Sequence, residues 1–357
     1  MAPCRPLLVT ADPLLLDDLL RLAAAAGVEV DVAGDVEAAR HGWVKAPLVL
    51  VGHDLVDRCA RSRLPRRPQV VLVGQDLDDA GVWQRAVQVG AEHVVFLPDA
   101  EPWLTGLLAE ALEGPSPTSP LVAVLGGRGG AGATVLSCAL AVRAVRRGLR
   151  ALLVDGDPMG GGIDLVFGAE ATPGLRWPDL RAARGRVPAT ALADALPRIH
   201  GLGVLSWDRG AAAPLAAEAV RAVLSAGRRT HDVVVVDLPR ALDAAAREVL
   251  ETATTTLIVV PAEVRAAAAA ARVAASAGLW CDDIRLVVRR PGPAGVGADQ
   301  VAEALGLPLA GELRAEPGLD LSLERGEPPA TRPRSPLGVL CDGLLEDLVP
   351  AADRPAA

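Results

Sequence analysis

Short apolar runs alternate with longer segments of helical periodicity along the whole chain, and that alternation is the first guide to its architecture. Leu7–Thr10 is followed by the helical stretch Leu14–Ala26, and Val28–Val32, Leu48–Val51, Val70–Val73 and His93–Leu97 are further strand candidates. Five strands with intervening helices predict a small doubly wound parallel sheet. The pattern resumes on a larger scale with strand candidates at Leu121–Leu125, Ala151–Val154, Gly203–Leu205, Val233–Val236, Thr256–Val260 and Arg285–Val288. Val233–Val236 is an unbroken β-branched run, as expected of a strand buried on both faces. Helices are predicted at Thr134–Arg147, Pro214–Ala226, Ala241–Thr252, Ala262–Ala277 and Leu337–Leu348. The alanine run Ala266–Ala271 belongs to one of them.

Between the two alternating regions, Glu113-Gly-Pro-Ser-Pro-Thr-Ser-Pro120 places three prolines within six residues, which denies helix and sheet hydrogen bonding. This predicts a domain over residues 1–112, a linker over 113–120, a second domain over 121–349 and a tail over 350–357. A second irregular stretch, Gly326–Pro336, is again rich in proline and arginine. Two domains also suit 357 residues at roughly 150 per domain.

A chain that is 51% hydrophobic and 22% charged, with net charge −8, is neither disordered nor a basic nucleic-acid coat. There is no apolar run of about 18 residues, so no transmembrane helix is predicted. The start runs straight into a strand-like segment without a signal-peptide layout, so a cytoplasmic protein is expected. Lys45 is the only lysine, and Ala, Gly, Pro and Arg abound, a GC-rich coding bias. That bias makes Lys-to-Arg replacement easy but does not explain Lys-to-Ala. The cysteines at 4, 59, 138, 281 and 341 are scattered and odd in number, with no CxxC pair, which argues against a disulfide framework or zinc site and suits a reducing compartment.

The most informative stretch is Val124-Leu-Gly-Gly-Arg-Gly-Gly-Ala-Gly-Ala-Thr-Val135, a strand running into glycines that run into a helix. Such a loop turns backbone N–H groups toward a phosphate, and the helix start adds a favourable dipole. The template G-x-x-x-x-G-K-[ST] fits Gly127 to Thr134 with one failure: Ala133 stands where the phosphate-binding lysine belongs. A glycine-rich strand–helix turn can also be only a tight connection. Against that, Asp155, Asp157 and Asp237 all fall just after strand candidates, on the edge of a parallel sheet where ligands bind.

These residues resemble the deviant Walker A loop of the MinD/ParA superfamily, whose pattern is K-G-G-x-G-K-[ST]. Leu152-Leu-Val-Asp-Gly-Asp-Pro-Met-Gly160 is similar to its D-x-D-P segment, and His231-Asp-Val-Val-Val-Val-Asp-Leu-Pro-Arg240 resembles its Walker B strand. The resemblance covers nearly all of residues 121–345 and is nearest to the CpaE-like and septum-site-determining group of Actinobacteria, to which Pro173–Leu180 adds a little. It implies a P-loop NTPase-like parallel-sheet domain that binds ATP with Mg²⁺. Gly127, Gly129, Gly130, Gly132 and Ala133 would contribute to the phosphate cradle. Thr134 would hold the metal, with Asp155 or Asp237 acting through water. Asp157 would position an attacking water. Arg128 occupies the signature lysine that reaches across a nucleotide-sandwich homodimer, although it can also be a surface arginine. Arg289 and Arg290 stand where relatives carry Asn-Arg near the adenine, so Arg290 is a binding candidate and the asparagine is absent. No cysteine lies between Cys138 and Cys281, which excludes the cluster-bridged iron-protein branch.

Residues 5–112 resemble a flavodoxin-like receiver domain, with Ala86–Pro98 similar to its last helix and strand. A working receiver needs an acidic pair after the first strand, an aspartate after the third, a Ser/Thr after the fourth and a Lys-Pro after the fifth. Here Thr10, Ala11 and Asp12 follow the first strand, Gly52 and Gly74 end the third and fourth, and Leu97 precedes Pro98. His53 and Asp54 fall one or two places late, so no phosphoryl switch is expected and the domain is assigned to docking or dimer formation. The helix Leu337–Leu348 bears only acidic charges, unlike the basic membrane-binding helix of MinD proteins, and is expected to pack on the sheet. Arg143, Arg146, Arg147 and Arg150 are expected to form a solvated face, with no strong nucleic-acid signal. The resemblance implies a spatial regulator of septum placement and cell division, or a non-hydrolysing scaffold for pilus assembly or secretion machinery. Its partners would be division-site or pilus and secretion proteins, with recruitment to septum or pole.

Overall fold

The computed structural model describes residues 5–62, 64–74, 79, 81–113, 119–180, 187–210, 214–290 and 296–349. The chain divides into two compact units, residues 1–117 and 118–357. Residues 114–118 of the expected linker and the tail 350–357 lie outside the described residues.

In the first unit, Leu7–Val9 (β1), Asp31–Ala33 (β2), Val49–Gly52 (β3), Val70–Gly74 (β4) and His93–Phe96 (β5) form an all-parallel sheet of order β2-β1-β3-β4-β5. β1, β3 and β4 are buried along their whole length, which is why they read as continuous apolar runs. The first helix, Pro13–Ala25, starts on Asp12, whose side chain accepts from the N–H of Leu14 and Leu15. The strand expected at Val28–Val32 begins only at Asp31. Val28 instead closes the first helix, its N–H donating to the carbonyl of Ala23 while its side chain is buried. The helix in Ala86–Pro98 spans Val82–Val89 and is the penultimate one, since Glu101–Glu113 follows β5.

The second unit contains Leu121–Gly126 (β6), Ala151–Asp155 (β7), Arg198–Ile199 (β8), Leu202–Leu205 (β9), Val233–Leu238 (β10), Thr255–Pro261 (β11), Ile284–Arg290 (β12) and Leu309–Arg314 (β13). Their order is β13-β12-β11-β6-β10-β7-β9-β8. All neighbours are parallel except β8, which pairs antiparallel with β9, so the sheet is mixed rather than purely parallel. Alternate residues of the central strands feed two cores, Leu121, Ala123 and Leu125 on one face and Val122 and Val124 on the other.

The helix Ala133–Arg146 follows β6 after the loop 127–132 and is buried all round over the nine consecutive residues 136–144. The last helix, Pro336–Leu348, packs on Ala133–Arg146 and on β13 through Leu337, Cys341, Leu344 and Leu345. Arg143 is buried there, with its Nε and terminal nitrogen 3.0 and 2.8 Å from the carboxylate of Asp342. Arg147 reaches the carbonyl of Asp342 and the carboxylate of Glu346. Two of the four arginines expected on a solvated face therefore clamp the C-terminal helix in place.

Candidate functional site

β6 ends at Gly126, and the loop 127–132 folds over the start of the helix Ala133–Arg146 beside a cavity of about 670 Å³. Gly130 and Gly132 have φ of 67° and 101°, in the left-handed region that glycine tolerates. Gly127 is fixed differently from the sequence expectation: its N–H donates to the carbonyl of Val259 at 2.9 Å and is not free for a phosphate. Leu136 makes the first bond of the helix, to the carbonyl of Gly132, so the N–H groups of Ala133 and Thr134 have no helical acceptor. Among the described residues, the N–H groups of Gly129, Gly130 and Gly132 also find no protein acceptor. These five donors border the cavity.

β10 sits between β6 and β7, with Asp237 in register with Val124 on one side and Asp155 on the other. This register brings two carboxylates to one sheet edge, and they have different partners. Asp237 accepts from the hydroxyl of Thr134 at 2.7 Å and from that of Ser137 at 3.0 Å. Burial pushes its carboxyl up to about 6, against the lowering effect of the two hydroxyls. Asp155 accepts from the N–H of Asp157 (3.1 Å) and Ile163 (2.9 Å) and from the hydroxyl of Ser206 (3.2 Å). It is 2% exposed, and burial pushes its carboxyl up to about 7. Ser206 also touches Asp164, which Arg209 holds at 2.8 Å. Asp155 thus anchors the loop after β7. Asp157 lies on the cavity wall, one oxygen accepting from the N–H of Met159 at 2.9 Å.

Magnesium takes hard oxygen donors and keeps one or two carboxylates alongside phosphate oxygens and water. The hydroxyl of Thr134 against the carboxylate of Asp237 fits that demand. Asp155 accepts from the loop that follows it and from Ser206, and of the two carboxylates only Asp237 is bonded to the Thr134 hydroxyl. Among the described residues no group of three or more His, Cys, Asp or Glu side chains could hold a metal. The four described cysteines are free and buried.

The cations around the loop are arginines. Arg128 is held within its own chain, one terminal nitrogen lying 2.9 and 3.1 Å from the two carboxylate oxygens of Glu263, which precedes the helix Val264–Ala277. Arg290 approaches Glu312 at 3.8 Å on the cavity wall. Arg289 lies at the loop itself, donating to the carbonyl of Gly130 at 3.0 Å. Arg240, in the exit of β10, brings a terminal nitrogen to 4.0 Å from where a side chain on Gly129 would begin. Sequence reading gave no role to Arg240, Ser137 or Glu263. Ser137 had a signal, three residues after Thr134 on one helix face.

In the first unit the expected acceptor position is Gly52. A side chain there would start 2.4 Å from a carboxylate oxygen of Asp54 and 2.8 Å from the hydroxyl of Thr10. Asp54 itself accepts from the Thr10 hydroxyl at 2.8 Å and from the N–H of Ala11 and Asp12 at 2.7 and 3.1 Å. The late carboxylate therefore folds back and fills the place of the missing one.

A family model described as the CobQ/CobB/MinD/ParA nucleotide binding domain matches residues 122–329. Another, described as the Rv3660c-like, CheY-like N-terminal domain, matches residues 9–119. A Mycobacterium tuberculosis protein described as uncharacterized protein Rv3660c is 45% identical over 320 residues, covering 88% of this chain and 90% of its own. The structure of a ParA family ATPase from Chlorobium tepidum superposes with a TM-score of 0.56 at 17% identity, over 64% of this chain and 99% of that one. The septum site-determining protein MinD of Pyrococcus horikoshii, complexed with Mg-ADP, superposes with a TM-score of 0.55 at 19% identity, over 66% of this chain and 98% of that one. At these identities the two structures establish a shared fold.

Proposed function

The chain belongs to the CobQ/CobB/MinD/ParA nucleotide-binding family, and on that premise we propose that it is a nucleotide-binding switch with very slow or no hydrolysis, acting as a spatial regulator of cell division. The observation that carries nucleotide binding is the row of five unpaired N–H donors at the loop beside the Thr134–Asp237 pair. Those N–H groups would receive phosphate oxygens, and Thr134 with Asp237 would hold Mg²⁺, which when bound would neutralise phosphate charge. Asp157 stands on the same wall to orient a water. The argument against fast hydrolysis is Ala133. Phosphoryl transfer is accelerated mainly by charge stabilisation and positioning, and the methyl group supplies neither.

Division as the setting rests on family resemblance and on the fold shared with a septum-site protein. A second reading, a partner-binding scaffold of pilus or secretion machinery that has given up the nucleotide, is favoured by one observation: Arg128 is neutralised by Glu263 in its own chain. Titration of the purified chain with Mg-ATP by calorimetry separates the two. Saturable binding that Thr134→Val weakens at least tenfold, with turnover far below that of an intact Walker ATPase, is the expected result. No heat at any concentration, or rapid turnover, would remove the proposed switch.

A further inference from the structure

The cavity wall carries five arginines, Arg128, Arg240, Arg289, Arg290 and Arg314, and three acids, Asp157, Glu316 and Asp320. Arg128 is paired with Glu263, and Arg290 and Arg314 both approach Glu312, at 3.8 and 4.0 Å. Arg240 and Arg289 have no carboxylate partner among the described residues, in a chain whose net charge is −8. Both lie against the glycine loop. Arg240 flanks Gly129, and Arg289 flanks Gly130 and Gly132, its terminal nitrogen 3.9 Å from where a side chain on Gly132 would begin. They arrive from different strands, Arg240 from the exit of β10 and Arg289 from β12, and so converge on the loop from separate elements.

From this placement we infer that Arg240 and Arg289 form a two-guanidinium clamp for the terminal phosphates of a nucleoside triphosphate, replacing in cis the cation that Ala133 lacks. The inference rests on the nucleotide-binding reading above. Guanidinium groups suit the task, because a planar fork binds phosphate oxygens in pairs and stays charged at any physiological pH. Arg289 is already fixed by the Gly130 carbonyl and keeps four of the five donors of a guanidinium for a ligand. Among the described residues nothing accepts from the guanidinium of Arg240. The clamp also explains how a loop without a lysine retains its other phosphate-binding features: the positive charge is moved from the helix start to the two strand exits that face it.

The test measures Mg-ATP affinity by calorimetry for the wild-type chain, Arg240→Ala, Arg289→Ala and the double variant, each at low and high salt, with melting curves to confirm folding. Each single substitution should weaken binding about tenfold, the scale of one lost charge-assisted contact, and the double variant by about a hundredfold with a shallower salt dependence. Adding Ala133→Lys to the double variant should recover at least tenfold. Binding by the double variant equal to wild type, or no recovery with Ala133→Lys, overturns the clamp while nucleotide binding itself stands. A wild-type chain that binds no Mg-ATP overturns both. Should either single variant fold poorly, Arg240→Gln and Arg289→Gln, which keep a hydrogen-bonding side chain without charge, are read by the same criteria.

Discussion

Asp237 and Asp155 sit side by side at one sheet edge, yet only Asp237 gives its oxygens to the helix that follows the glycine loop. Both bind a proton more tightly folded than unfolded, since burial raises them from 3.8 to about 6 and about 7. A carboxyl raised in this way contributes stability that is fully present below about pH 4 and is lost as pH rises through its folded value. The apo protein should therefore become less stable between pH 4 and pH 7.5, and Asp237→Asn, which fixes a neutral group of the same shape, should escape its share. Each tenfold difference in proton affinity between folded and unfolded chain is worth about 1.4 kcal/mol. The advantage of Asp237→Asn over wild type should accordingly grow by about 2 kcal/mol across that window, as read by urea unfolding at each pH. A constant difference between the two proteins would show that Asp237 titrates normally. The ionised form of the same carboxyl is the one that the proposed magnesium site would need, so the proposed metal ligand is a group whose charged form burial disfavours.

At the scale of elements, the helices Ala133–Arg146 and Pro336–Leu348 are joined by an ion pair whose arginine side chain is only 8% exposed, against 26% for its aspartate. Asp342→Ala leaves that guanidinium buried without a partner and should cost about 3 kcal/mol in urea unfolding, because a desolvated charge loses its compensation. Arg143→Met in the same chain replaces the charge with an apolar side chain of similar length and should restore most of the loss. A double variant as unstable as the single one would mean that the loss does not come from the unpaired guanidinium of Arg143. The arginine spacing alone suggested a solvated face here, since the partner lies 199 residues away. Similar distances explain what else was legible. The central strands β6, β7 and β10 were plain in the sequence because burial on both faces makes them continuously apolar. β13 was not, since it is half-buried and interrupted by Gly311, and β8 has only two residues. The glycine loop and its three aspartates announced the site through local spacing. The division of labour between Asp155 and Asp237 was hidden, because it depends on Ser206, Ile163 and Thr134 brought in by the fold.

For the molecule as a whole, the question is whether the positive charge of Arg128 stays at home or crosses to a second copy. In the isolated chain the half-exposed pair with Glu263 holds it, its two side chains 35% and 32% exposed. Exposed pairs of this kind are worth only about 0–1 kcal/mol, so a partner's phosphates, with several charges in a shielded interface, can outcompete a single carboxylate. In a sandwich dimer the pair would act as a latch: without nucleotide it neutralises Arg128, and phosphates would be needed to draw the guanidinium across. Three proteins in sedimentation velocity decide this. The wild-type chain should be monomeric alone and shift toward dimer with Mg-ATP. Arg128→Ala should lose that shift while keeping its melting temperature nearly unchanged. Glu263→Gln, which frees the arginine without touching the loop, should dimerise at about two- to fivefold lower protein concentration with the nucleotide, the factor that up to about 1 kcal/mol confers. If Glu263→Gln behaves as wild type while Arg128→Ala is deficient, the arginine crosses but is not latched. If all three stay monomeric at saturating Mg-ATP, the charge serves its own loop and the chain works as a single copy.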